Sequence, residues 1–150
     1  MRASSRGWVA VLWGDNFDEK ATTIFVTELR AAGLWVKLVG ISPLPISGAH
    51  GLTLVPDFTL DQALVAAQDV MGIIIPYASP GIKRLKNDPR LQTLCAQAQA
   101  NGAKFIVSAV FSANWADVGL FSVMGENPIF YANSESLVAF ARDLVEMLWR

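Results

Sequence analysis

In 150 residues the chain has one cysteine and one histidine, and each scarcity removes a class of chemistry. A single thiol excludes an internal disulfide framework and agrees with a reducing cytoplasm. A single imidazole argues against a transition-metal centre of the usual kind. Charge of one sign is not in excess either: 12 Lys+Arg stand against 13 Asp+Glu, which gives no field to attract nucleic acid or an anionic membrane. The one basic cluster, Lys83-Arg84-Leu85-Lys86, reads as a solvated loop or helix start. No apolar run approaches the roughly 18 residues that a bilayer span requires. Trp8-Val9-Ala10-Val11-Leu12-Trp13, behind Arg2 and Arg6, is too short for a signal core and runs straight into Gly14-Asp15-Asn16, so it is expected to be a buried strand. The turn after it carries no Ser/Thr-Gly-rich phosphate loop, which weighs against flavin mononucleotide, and no cofactor is expected.

Apolar residues are plentiful. They make up 53% of the chain against 17% charged, a surplus expected to cover a subunit or partner interface. The length suits one domain over residues 1–150, able to bury about 70% of its unfolded surface. Continuous β-favouring runs at Trp8–Trp13, Leu34–Gly40, Met71–Pro76 and Lys104–Val110 predict strands covered on both faces. A weaker extended segment is expected at Leu52–Val55 and a last strand at Ile129–Ala132.

Helices are predicted between them. From Asp18 to Ala32 two acids open the first turn, Ala21, Phe25, Leu29 and Ala32 share a face, and Gly33 supplies a left-handed stop. Thr59-Leu60-Asp61-Gln62 has the form of a capping box, with a short helix to about Ala67. Asp88-Pro89 caps a helix that Asn101-Gly102 ends. A short helix is expected over Asn114–Asp117, and Asn133 or Ser134 caps a terminal one running to Leu148 or Trp149. Alternation of this kind implies a flavodoxin-like, doubly wound α/β fold, a mostly parallel sheet with helices on both faces.

Ligands of such sheets bind beyond the carboxyl ends of the strands. The polar residues there, Asp15, Asn16, Tyr77, Ser79, Ser112, Asn114 and Asn133, are the candidate ligand-binding set. Asp15 and Asn16 also suit a plain turn. Cys95 falls with Leu91, Leu94 and Ala98 on one helical face and is expected to be buried and inert. Of the five tryptophans, Trp8, Trp13 and Trp35 are expected in the core. Trp115 and Trp149, outside the strand pattern, are the candidate anchors of a protein interface.

Three segments in order carry a resemblance to a known family. They are Asp15-Asn16-Phe17-Asp18-Glu19-Lys20-Ala21, the stretch Gly48-Ala49-His50-Gly51-Leu52-Thr53-Leu54-Val55-Pro56-Asp57 with Leu60-Asp61-Gln62-Ala63, and Ile73-Ile74-Ile75-Pro76. In order and spacing they resemble the DJ-1/PfpI (ThiJ) family, whose familiar members read D-G-F-E-E-x-E, G-S-H-G with P-D-x-x-L-D-E-A, hydrophobic-P-G-G and A-x-C-A-G-P. The resemblance implies a cysteine on a strained strand-to-helix turn, a partner glutamate, an oxyanion segment and frequent homodimers.

Carried onto this chain, the cysteine falls on Phe111 and the partner glutamate on Ala21. Asp18 and Glu19 match two acids with structural roles. The P-G-G segment becomes Pro76-Tyr77-Ala78, whose side chains crowd the backbone approach that two glycines allow. The stretch that brings a histidine to the cysteine is largely deleted around Val118-Gly119-Leu120-Phe121. His50 matches the G-S-H-G turn, where a structural hydrogen bond is expected. Ser112 has a hydroxyl but no evident base to activate it.

The expectation is therefore a pseudoenzyme: no catalytic residues, no metal, no nucleic acid and no membrane insertion, with a protein partner or a homodimer. The alternative is a small-molecule binder or residual hydrolase that uses the polar strand ends.

Overall fold

The computed structural model describes residues 7–76, 88–109, 128–132 and 136–148. Six strands form one parallel sheet in the order β5-β2-β1-β6-β7-β8. In chain order, β1 is Trp8–Leu12, β2 Trp35–Gly40, β5 Phe58–Thr59, β6 Val70–Ile75, β7 Lys104–Ser108 and β8 Ile129–Tyr131. The central strands are the apolar runs: every residue of β1 is buried, as are all of β6 except Met71 and all of β7 except Lys104.

Strand order reverses at β1, so the crossover from β1 to β2 and that from β6 to β7 run in opposite directions. Crossovers of one hand then place their helices on opposite faces. α1 (Glu19–Ala31) packs with the C-terminal helix α4 (Leu137–Leu148), and α2 (Leu60–Val65) packs with α3 (Pro89–Ala100). The α1 stripe Ala21, Phe25 and Leu29 is fully buried, as is the α3 stripe Leu91, Leu94, Cys95 and Ala98.

The helix ends follow the sequence signals. Asp18 caps α1, accepting from Lys20 N and Ala21 N, and Gly33 adopts the left-handed φ of 93° that lets the chain turn back into β2. Thr59 and Gln62 close the capping box of α2. Asp88 caps α3 with Pro89 in its first turn.

Three expectations need correction. Leu52–Val55 contributes only Thr53–Leu54 (β4), paired antiparallel with Ile46–Ser47 (β3) in a separate two-stranded hairpin. The short helix after Thr59 stops at Val65 and yields to a 3₁₀ turn over Ala67–Asp69. Trp35 is not core: it is 55% exposed at the start of β2, because β5 covers only the far end of that strand. Trp8 and Trp13 are core, and each places its indole N–H on a carbonyl, of Ala66 and Ile46 respectively, at 2.9 Å.

Candidate functional site

The carboxyl ends of β1, β6, β7 and β8 meet the amino end of α1. After β1, Phe17 N–H donates to Gly14 C=O at 3.1 Å, closing a tight turn in which Asn16 takes a φ of 65°. Asparagine tolerates that left-handed conformation better than most residues. Asp15 and Asn16 are exposed on this turn, and Asp18 N–H crosses to Pro76 C=O at the end of β6, 3.0 Å away.

Glu19 organises the neighbouring hairpin. Its buried carboxylate accepts His50 N–H at 2.6 Å and Leu52 N–H at 3.1 Å, and its other oxygen lies 3.2 Å from His50 Nδ1. Burial raises its pKa, but the backbone donors of Glu19, Leu52 and His50, with the imidazole, outweigh that and hold it below the usual 4.5. The same junction explains Gly48, where a Cβ would sit 2.6 Å from Glu19 Cγ and 2.7 Å from the Trp13 ring. Two further backbone bonds, Asn16 N–H to Ser47 C=O and Ala49 N–H to Phe17 C=O, complete the seam. His50 thus has the structural hydrogen bond expected of it, with its ring largely in solvent.

Ala21, aligned by the sequence resemblance with the family's partner glutamate, lies beside the Asp18 cap. It is wholly buried in the first turn of α1, and its N–H goes to Asp18 Oδ1 at 3.4 Å.

Tyr131 was missed by sequence reasoning, which treated it only as strand. It ends β8 at 1% exposure, and its hydroxyl has no hydrogen-bond partner among the described residues. Burial, and after it the Asp18 carboxylate, holds the phenol well above its usual range; the nearby Ser108 hydroxyl offsets part of this without reaching hydrogen-bonding geometry. A tyrosine closing a short strand beside a polar cap was the available signal. Of the proposed ligand set, Asp15 and Asn16 are described and lie together; Tyr77, Ser79, Ser112, Asn114 and Asn133 lie outside the described residues, as do Phe111, Trp115 and Trp149.

Cys95 sits apart, on the buried face of α3, and burial pushes its thiol up to about 12. Thiolate is the reacting form, so a thiol reagent should label the folded protein more than about a hundredfold more slowly than the unfolded one. Comparable rates would place Cys95 at the surface. Among the described residues no three His, Cys, Asp or Glu side chains converge as a metal site, and no helix is long and apolar enough to cross a membrane.

No curated protein matches the chain. Solved structures do. DJ-1 of Toxoplasma gondii, in an oxidized form, superposes with a TM-score of 0.78 at 18% identity, over 95% of this chain and 91% of that one. A DJ-1 superfamily protein of Salmonella typhimurium, a C103A mutant, gives 0.75 at 18% identity over 95% and 90%. A two-domain protein from Anabaena variabilis, with DJ-1/ThiJ/PfpI-like and ferritin-like domains, gives 0.77 at 18% over 95% of this chain and 48% of that one. At such identities these likenesses establish the doubly wound fold alone. The family model for DJ-1/PfpI matches residues 8–116, which is most of the chain and takes in the β1 turn, the hairpin and the β6 end; this protein belongs to the DJ-1/PfpI family.

Proposed function

We propose that this chain is a non-catalytic DJ-1/PfpI-like domain that acts through protein interaction or complex assembly in a reducing compartment. The observation that supports the reading is Ala21, a buried methyl in the first turn of α1, which the sequence resemblance aligns with the family's partner acid. Phe111 at the aligned cysteine position removes the nucleophile as well. Loss of both groups from a chain that keeps its capping signals and its buried strands leaves surfaces as the functional feature. Trp115 and Trp149 are the proposed anchors, and a homodimer is one form the assembly takes.

A second reading rests on Tyr131. A buried phenol without a partner among the described residues costs free energy, and a small polar ligand held near Asp15, Asn16 and the α1 cap would supply its bond.

Natively purified protein separates the two. We expect no turnover above buffer with methylglyoxal, glycated amines or peptides, and we expect native mass spectrometry to find a second polypeptide or a second copy bound. A retained small molecule, or turnover abolished by Ser112→Ala, would overturn the interaction reading in favour of the second.

A further inference from the structure

The sheet ends on a strand that covers only part of its neighbour. β5 pairs with β2 at Val39 and Gly40 alone, so among the described residues the segment Trp35-Val36-Lys37-Leu38 has no strand on its outer side. A β-favouring edge with no proline or acid is a template for another strand. Its outward carbonyls and the Leu38 N–H are nonetheless occupied. Val36 C=O accepts from Arg30 Nε at 3.2 Å and from its terminal nitrogen at 2.8 Å. Leu38 N–H donates to Asp57 Oδ2 at 2.8 Å, and Leu38 C=O accepts from Asp57 N–H at 2.7 Å. Arg30 and Asp57 are joined by a 2.8 Å ion pair. A helix side chain and a loop residue therefore take the places that a strand's peptide groups would fill.

We propose that the Arg30–Asp57 pair is an edge guard that keeps a second copy of this chain from adding its β2 strand to this one. The pair is about half exposed, so as a surface ion pair it contributes little to folding; its consequence is for association. Arginine suits the task because its planar fork sets two donors on one carbonyl while still reaching the carboxylate. The guard occupies backbone hydrogen-bonding positions at Val36 and Leu38.

The full chain tests this. In Arg30→Ala, Val36 C=O is freed and Asp57 loses its hold, and the association constant measured by sedimentation should rise about tenfold or more over the parent, as expected when a couple of edge hydrogen bonds become available. Exchange of the Val36 amide, which strand alternation points outward, should slow in the associated form. Arg30→Lys, which keeps one donor and the charge, should stay near the parent. If Arg30→Ala does not fold, Asp57→Asn, which retains an acceptor for Leu38 N–H but breaks the ion pair, should show the same direction with a smaller rise. Unchanged association in the folded variants, or association that leaves the Val36 amide exchanging freely, would overturn the proposal.

Discussion

Glu19→Ala is expected to lower the unfolding free energy by about 3 kcal/mol and to loosen the hairpin from the body of the protein. Bonds to a charged acceptor contribute about 1.5–3 kcal/mol each, and this carboxylate takes two backbone N–H groups and an imidazole nitrogen. The turn that carries the donors is exposed, so water recovers part of the loss and the sum stays well below three full bonds.

The effect has a pH signature. The folded carboxyl is held below its usual 4.5, so its stabilisation is complete above that value and is lost as pH falls through the lowered folded pKa. Urea unfolding of Glu19→Ala and the parent should differ most near neutral pH, and the gap should narrow by about pH 3. An equal gap at both would assign the residue a packing role with no part for its charge.

Phe25→Ala is expected to cost about 3–5 kcal/mol, the range for emptying a large aromatic from a core. Phe25 is fully buried and meets two rings edge-on, Tyr131 on β8 at 5.1 Å and Phe140 on α4 at 6.2 Å between centroids. Three elements distant in sequence thus share one side chain. At roughly 2–4 °C per kcal/mol for a domain of this size, the thermal midpoint should fall by about 10 °C. Phe25→Leu should lose markedly less, since it keeps most of the volume. Similar losses in both would mean that the aromatic contacts, and not the filled space, hold this face together.

What was legible in the sequence was whatever depends on neighbours along the chain. Trp8–Leu12 reads as a buried strand because nothing polar interrupts it. Asp18, the Thr59–Gln62 box, Pro89 and Gly33 announce helix ends through local hydrogen bonding and φ, which a few adjacent residues determine. The hairpin was half legible: Leu52–Val55 read as extended, but strands of two residues show no periodicity from which the pairing with Ile46–Ser47 could be read. Trp35 misled because β-propensity does not say whether a strand position lies at the covered or the open end of an edge. At the site, Asp15 and Asn16 were readable as strand-end turn residues. The tether from Glu19 to His50 and Leu52 was not, since it joins residues more than thirty positions apart. Tyr131 was overlooked because an unpartnered hydroxyl is a property of surroundings and has no sequence pattern.

The central position of β1 also bears on how the chain must be made. β1 emerges from the ribosome before both of its partners, and β6, which lines its second edge, begins only at Val70. Until then this wholly buried strand has an open flank. A nascent chain, or a fragment cut anywhere before β6, carries that flank exposed, so the first half of this protein is not a separable unit and depends for its solubility on residues translated after it.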